Sequence, residues 1–242
     1  MNRKIFKLIT ENLQSSFNLP KFAAVKDSVN KDTVVLDLPW TPARLRKFKE
    51  HVESTLDLTT ELTGTVEQIT ADLDLRYTGR FFGEIWQPNT DHYNYTGWHI
   101  VDEINQHTPR AVLDVGCGYN QFKPRIPGLI GIDPYNNSAD YQVDILDFVS
   151  NTKFDAMIVF GSINFNSRDE IESRIAHCVD LLAPSGRMYF RVNPGIAHAK
   201  GPWVDIFEWD FKTVQEFASQ FGLELETFKK DHNRNYFVYL KK

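Results

Sequence analysis

Cysteine and long apolar runs are what this sequence has least of. Its 242 residues include only two cysteines, Cys117 and Cys178. Two thiols cannot build the disulfide framework of a small secreted domain, so the sequence favours a reducing compartment, and we expect the cytoplasm. No window approaches the roughly 18 consecutive apolar residues of a membrane span. The start, MNRKIFKLITENLQSSF, predicts neither a signal peptide nor an anchor.

Positive charge is also in deficit. Lys and Arg total 27 against 32 for Asp and Glu, which gives a formal net charge of −5. The net negative charge provides no global field that attracts a polyanion, so the composition disfavours nucleic acid as a partner. It does not exclude a local basic groove. No cluster has the spacing of metal ligands, and we predict no metal. Hydrophobic residues make up 42% of the chain and charged residues 24%, which is typical of a globular protein with a sizeable core.

The first part of the sequence predicts a small α+β extension. The run TVVLDL at 33–38 favours a strand, and a helix is expected after it, capped by Thr41 with Pro42 at its first position. Apolar and polar residues alternate over 69–77, which predicts a half-buried strand. An aromatic connector follows, either a packed seam or a lid facing a ligand. We expect the extension and connector to occupy residues 1–92 and to offer a surface to a protein partner.

The second part, residues 93–242, alternates strand-like and helix-like stretches. This rhythm predicts a parallel sheet with crossover helices. Strands are expected at 111–115, 129–133, 156–160, 187–192, 223–227 and 237–240. Helices are expected at 98–106, 168–182 and 212–221.

Two of these strands end in groups that suit a nucleoside. The stretch AVLDVGCGYNQF carries Asp114 into a Gly-Cys-Gly turn, and glycine there allows positive φ and close approach of the backbone to a ligand. Glycine is also common in tight turns for geometry alone. The second strand, LIGIDP, ends in Asp133, close to the separation of about 20 residues at which an acid reaches ribose hydroxyls. The alternative for Asp133 is a cap on the turn before Pro134.

Two more segments fit the same ligand. VDILDF places Asp144 at the end of a short third strand, where its carboxylate would accept from an exocyclic amine such as that of adenine, or would cap a helix. FDAMIVF is a buried strand that ends at Phe160 and Gly161, and the ligand is expected along this edge.

In order and content these segments resemble the class I S-adenosylmethionine-dependent methyltransferases. The matching pieces are VLDVGCG, GIDP, VDILDF, FDAMIVF and LLAPSGRMYFRVNP, which together span about 98–242. The resemblance implies a doubly wound, Rossmann-like α/β fold with a mostly parallel seven-stranded sheet in the order 3-2-1-4-5-7-6 and NYFVYLKK as the antiparallel seventh strand. More loosely, GCGYNQF, GIDPYN and FGSINF are similar to small methyltransferase-like proteins of tailed phages.

The resemblance also implies S-adenosyl-L-methionine as the cofactor. Asp133 would hold the ribose, Asp144 with the backbone of Ile145 would address the adenine, and Asp114 would orient the loop or meet the methionine amino group. The full set expected around the cofactor is Asp114, Gly116, Cys117, Gly118, Asn120, Asp133, Asp144, Ile145, Phe160 and Gly161.

The sequence departs from the family after the glycine turn. Asn120 stands where a third glycine is common, and asparagine tolerates left-handed backbone better than most residues. Pro124 and Pro127 leave room only for a short helix. Gln121 occupies the position that the dinucleotide motif G-x-G-x-x-G reserves for glycine, so a nicotinamide oxidoreductase is less favoured.

The acceptor of a methyl group is not identified by these residues. The stretch Gly161, Ser162, Ile163, Asn164 lacks the Pro-Pro-aromatic motif of enzymes that methylate DNA amino groups. No catalytic residue is assigned, and candidate bases after the fourth and fifth strands are Asn164, Asn193, His198 and Asp205. A small molecule, a sugar or a protein side chain all stay open as acceptors. The main alternative is a catalytically silent binding or structural protein, of viral origin if the looser likeness holds.

Overall fold

The computed structural model describes residues 42–59, 66–86, 97–196 and 204–242. It divides into two compact units, Met1–Phe81 with Gly201–Val204, and Phe82–Lys200 with Asp205–Lys242. Within the described ranges, no helix is both long and apolar enough to cross a membrane. The predicted strand at 33–38 and the Thr41 cap lie outside those ranges.

The first unit contains two helices, α1 (Pro42–Leu56) and α2 (Val66–Arg80), and a π-helical turn, Phe81–Ile85, follows α2. Helix α1 agrees with the prediction, whereas α2 shows that the predicted strand at 69–77 is wrong. Ile69, Leu73 and Tyr77 are buried, while Leu75 is 69% exposed. These three residues recur at every fourth position, so the helix buries them on one face; the apparent period of two came from Ala71 and Leu75 between them.

Two leucines of α2 separate the helix from the strand experimentally. Leu73→Ala is expected to destabilise the first unit by about 2–5 kcal/mol because its side chain is buried. Leu75→Ala should change the free energy of unfolding by no more than about 0.5 kcal/mol because that side chain faces solvent. Urea titrations followed by circular dichroism measure both. In a strand the two residues share a face, so equal losses would contradict the helix.

The second unit is built on one mixed sheet. Its strands are β1 (Val112–Val115), β2 (Leu129–Ile132), β3 (Phe154–Phe160), β4 (Leu182–Val192), β5 (Leu223–Asp231) and β6 (Arg234–Lys241). Its helices are α3 (His99–Gln106), α4 (Arg168–Leu181) and α5 (Phe211–Gln220). The strand order is β2-β1-β3-β4-β6-β5. Strands β1 to β4 are parallel, and β6 is antiparallel to both β4 and β5. This confirms the predicted α/β class and the antiparallel last strand.

The described part of the sheet has six strands where the resemblance implies seven. The missing one is the third, VDILDF, which forms a turn instead of a strand. The Leu146 N–H donates to Asp144 Oδ1 and the Asp147 N–H donates to the Asp144 carbonyl. Because these donors are used inside the segment, only a single bridge between Ile132 and Tyr141 continues the sheet at this edge.

Helices cover both faces of the sheet. On one face Leu113 and Phe190 pack with residues of α4 and α5, and on the other Val112 and Tyr189 pack with α3. Successive residues of each strand therefore enter opposite layers, as expected of strands buried on both sides. The parallel register brings the carboxyl ends of β1, β2 and β3 to one edge.

Candidate functional site

The turn after β1 contains two glycines with different roles. Both have positive φ, +70° at Gly116 and +53° at Gly118. A Cβ on Gly116 would lie 2.3 Å from the Ser162 Cβ, so this glycine lets the loops after β1 and β3 approach each other. A Cβ on Gly118 would meet nothing within 4 Å. Gly118 therefore faces open space that a ligand can enter.

This contrast predicts different effects of the same substitution. Gly116→Ala combines a left-handed backbone with the clash against Ser162, and we expect a loss of at least about 3 kcal/mol. Gly118→Ala has only the backbone strain, which costs about 1–2 kcal/mol. Chemical denaturation of the two variants tests this. An equal loss in both would show that the approach of the two loops is not tight.

Asp133 lies against the glycine turn, as its spacing predicts. It is 9% exposed, and its Oδ2 accepts the Gly118 N–H at 3.0 Å. Its Oδ1 accepts the N–H groups of Tyr135 at 2.8 Å and Asn136 at 3.0 Å. The same carboxylate thus caps the turn that follows it and contacts the glycine turn after β1. A carboxylate offers about four acceptor sites, so capacity is left for a ligand hydroxyl.

Asp114 lies near Asp133 and is almost completely buried. It is 2% exposed, and its Oδ2 has no hydrogen-bond partner among the residues that the structure describes. Burial, and to a lesser degree the charge of Asp133, raises the pKa of Asp114 from 3.8 to about 8. An unpartnered buried carboxyl is costly by itself and suits a cationic ligand group.

The Cys117 side chain is not a reactive thiol. Burial and the neighbouring carboxylates of Asp114, Asp133 and Asp140 raise the pKa of the thiol well above its ordinary value. Cys117 is 8% exposed and therefore acts as a small apolar residue below the turn.

Asn120 takes the left-handed backbone expected at this position, with φ at +55°. Its side chain turns towards the loop after β2, where Nδ2 donates to the Ser138 carbonyl and to Asp140 Oδ2, each at 3.2 Å. A Cβ on Gly131 would lie 2.5 Å from Asn120 Oδ1. Asn120 therefore connects two loops, a contact between distant segments that the sequence did not reveal.

The predicted adenine side is divided between Asp144 and Ile145. Both oxygens of Asp144 contact Arg174 Nη1 of α4, at 2.6 and 2.7 Å. Ile145 is buried, and its N–H has no acceptor in the part of the chain that the structure describes. The Ile145 backbone is thus one free donor at this end, whereas the Asp144 carboxylate pairs with an arginine that sequence reasoning missed.

The end of β3 forms the opposite side of the site. The Phe160 ring packs edge-on against Phe122 at 5.9 Å, on the face covered by α3. Gly161 has φ of +77°, and a Cβ there would meet nothing within 4 Å. Gly161 is thus a second position, besides Gly118, where the backbone faces open space.

Two of the candidate bases, Asn164 and Asn193, are groups that hold loops together. Asn164 Oδ1 accepts the Asn193 N–H at 3.1 Å, and Asn193 Oδ1 accepts the N–H groups of Gly195 and Ile196. The backbone carbonyl of Asp205 accepts the Asn166 N–H at 3.0 Å, and a role of the Asp205 carboxylate as a base stays a prediction. Amide side chains cannot take up a proton near neutral pH, so neither asparagine acts as a base. His198 lies outside the described residues.

Aromatic rings from the connector pack beside this edge. Phe82 stacks on Tyr135, which follows Asp133, with ring centroids 5.4 Å apart. It also meets the edge of Phe165 at 4.6 Å. Sequence reasoning singled out the connector but not these partners, because the rings come from three distant segments.

No protein-family model and no curated protein matches this chain. Several solved structures match it in fold. A Burkholderia thailandensis 1,6-didemethyltoxoflavin-N1-methyltransferase, crystallised with bound 1,6-didemethyltoxoflavin and S-adenosylhomocysteine, matches with a TM-score of 0.56 at 13% identity. The match covers 76% of this chain and 93% of that one. An S-adenosylmethionine-dependent methyltransferase from Clostridium acetobutylicum has a TM-score of 0.50 at 11% identity, covering 69% and 98%. A Pyrococcus horikoshii protein scores 0.53 at 17% identity, covering 67% and 96%. The chain has the class I methyltransferase fold.

The methyltransferase fold accounts for the position of the site. In such open α/β sheets the ligand crevice lies outside the carboxyl ends of the strands, beside the point where strand order reverses. Here β1 is that point, since β2 lies on one side of it and β3 on the other. Gly118, Asp133 and Gly161 all follow the carboxyl ends of β1, β2 and β3, which lie at this point of the sheet.

Proposed function

We propose that this protein is an S-adenosylmethionine-dependent methyltransferase that transfers a methyl group to a small molecule, a sugar or a protein side chain. The observation that carries the proposal is the contact of the Asp133 carboxylate with the Gly118 N–H at 3.0 Å, beside open space, within a methyltransferase fold. A buried acid at the end of β2, touching the glycine turn after β1, is the arrangement that a ribose with two free hydroxyls requires.

The residues present fit this cofactor. The acceptor site left on Asp133 suits a ribose hydroxyl, and the Asp114 Oδ2, which has no partner among the described residues, suits the methionine ammonium. The Ile145 N–H suits an acceptor atom of the adenine ring. Gly118 and Gly161 leave the space that a Cβ would fill. When bound, the cofactor supplies an electrophilic methyl group on a sulfonium.

The protein's own part in methyl transfer is to position groups and exclude water. Displacement at a sulfonium requires alignment of acceptor and methyl more than it requires acid–base groups. Asn164 and Asn193 hold the loops after β3 and β4 in fixed geometry, which shapes the acceptor side. The Phe82, Tyr135 and Phe165 rings provide an apolar wall at the same edge. We also propose a cytoplasmic location, since both cysteines are free thiols.

The proposal is tested by thermal unfolding with S-adenosylmethionine, S-adenosylhomocysteine or NAD. The first two are expected to stabilise the protein, by about 2.7 kcal/mol at a ligand concentration one hundred times the dissociation constant, and NAD is not. Stabilisation by none of the three would contradict the cofactor assignment and favour the catalytically silent alternative.

A second measurement separates an enzyme from a silent binder. The protein is incubated with S-adenosylmethionine and a small-molecule or protein fraction of cell extract, and S-adenosylhomocysteine formation is followed. Product above the level of a Gly118→Ala control, whose side chain would fill the open space, supports methyl transfer. Binding of cofactor without product in any fraction would favour the catalytically silent alternative.

The likeness to phage proteins stays a prediction from the sequence.

A further inference from the structure

One carboxylate joins the two loops that form the candidate site. Asp140 lies in the loop after β2, and its Oδ2 accepts the Gly131 N–H at 2.8 Å and Asn120 Nδ2 at 3.2 Å. Its Oδ1 pairs with the Lys123 ammonium. Gly131 belongs to β2, whereas Asn120 and Lys123 belong to the loop after β1. A single side chain thus holds three donors from two segments.

The partners of Asp140 lie next to the groups that face the proposed ribose. Gly131 is two residues before Asp133, and Asn120 is two residues after Gly118. The residue after Asp140, Tyr141, accepts the Asp133 N–H through its carbonyl at 3.2 Å. Both ends of the hydrogen bond between Gly118 and Asp133 are therefore anchored close to Asp140.

The charge of Asp140 matters to this arrangement. An ionised carboxylate only accepts hydrogen bonds, and all three of its partners are donors. Burial by itself would raise the pKa of Asp140, but hydrogen bonds from Gly131, Lys123 and Asn120 outweigh it and hold the pKa below its ordinary value. An amide in the same place would turn an N–H₂ group towards one of these donors.

We propose that Asp140 is a positioning residue for the cofactor ribose, acting through Asn120 and Gly131 to keep the Gly118 N–H and the Asp133 carboxylate directed at one ligand. The inference rests on the proposed function, since it names a residue that supports the same site. Asp140 itself need not touch the cofactor.

The chain supplies a matched control at the other end of the sheet. Asp155 Oδ2 accepts the N–H groups of Arg110 at 2.7 Å and Ala111 at 3.2 Å, before β1 begins. Its side chain is 29% exposed and that of Asp140 is 26% exposed. Both carboxylates hold two backbone segments together, but only Asp140 does so beside the glycine turn.

The test compares Asp140→Asn with Asp155→Asn by calorimetric titration with S-adenosylhomocysteine and by thermal unfolding. Both variants should lower the melting temperature by similar amounts. Asp140→Asn is expected to weaken S-adenosylhomocysteine binding by about tenfold or more, by analogy with the outer partners of metal ligands, whose loss costs about 10- to 100-fold in affinity. Asp155→Asn should leave the affinity unchanged. Unchanged affinity in Asp140→Asn, or an equal loss in both variants, would overturn the proposal.

Amide hydrogen exchange supplies a readout that does not depend on the ligand. Asp140→Asn should speed exchange at the Gly118 and Gly131 N–H groups, and Asp155→Asn should do so only near Ala111. Protected Gly118 in Asp140→Asn would overturn the positioning role. If the unmodified protein fails to bind S-adenosylhomocysteine, the proposed function fails, and the exchange result still decides whether Asp140 holds the turn.

Discussion

Asp133→Ala is expected to abolish stabilisation by S-adenosylhomocysteine while the protein keeps a cooperative melting transition. The substitution removes the carboxylate that contacts the Gly118 N–H in the turn after β1 and that is expected to accept from a ribose hydroxyl. One hydrogen bond from a ligand hydroxyl to a charged group contributes about 1.5–3 kcal/mol. Its loss corresponds to a fall in affinity of about tenfold to a hundredfold.

Thermal unfolding at a fixed ligand concentration measures this loss. At one hundred times the original dissociation constant the unmodified protein should gain about 2.7 kcal/mol, and a variant weakened a hundredfold should gain only about 0.4 kcal/mol. Asp133→Ala also leaves three backbone N–H groups without their acceptor. Asp133→Asn is therefore the companion variant, since it keeps one oxygen and the side-chain shape. Affinity equal to that of the unmodified protein in both variants would show that the ribose is misplaced.

The glycine turn and the acid after β2 could be predicted because both depend on local sequence. An apolar strand that ends in an acid and is followed by glycines predicts a ligand-binding loop. The spacing from Asp114 to Asp133 predicts that their two strands are neighbours in a parallel sheet. The strand register confirms this arrangement, because Val115 lies opposite Ile132 and the Gly118 N–H donates a hydrogen bond to Asp133. Here local pattern and tertiary structure agree.

Other features could not be predicted because distant segments decide them. The apolar residues over 69–77 fit a strand period of two as well as a helical spacing of four, so the pattern alone did not separate the two, and the structure has a helix that buries Ile69, Leu73 and Tyr77. The expected third strand gave way to a turn because its donors bond within the segment. The partners of Asp144 and Asp140 lie 30 and 17 residues away along the chain, and no short motif encodes such pairs.

Asp114→Asn is expected to stabilise the ligand-free protein and weaken cofactor binding. The pKa of Asp114 is about 8 in the folded protein and 3.8 when unperturbed, so between these values the folded state holds a proton that the unfolded state has released. Stability is then fully present below about pH 4 and falls as pH rises towards 8. At about 1.4 kcal/mol per pKa unit the loss is on the order of a few kcal/mol.

Asparagine has the same shape as aspartate and cannot ionise, so the free energy of unfolding of the variant lacks this pH-dependent contribution. Denaturant titrations at several pH values should show variant and unmodified protein nearly equal at pH 4 and the variant ahead at pH 8.5. Cofactor affinity of the unmodified protein should instead increase as pH rises. A methionine ammonium pairs with an ionised Asp114, so affinity for S-adenosylhomocysteine should rise with pH up to about 8 in the unmodified protein and stay flat in the variant. A group that served only the fold would change stability alone. Parallel pH profiles of affinity in the two proteins would therefore remove Asp114 from the cofactor site, even if the stability difference appeared as expected.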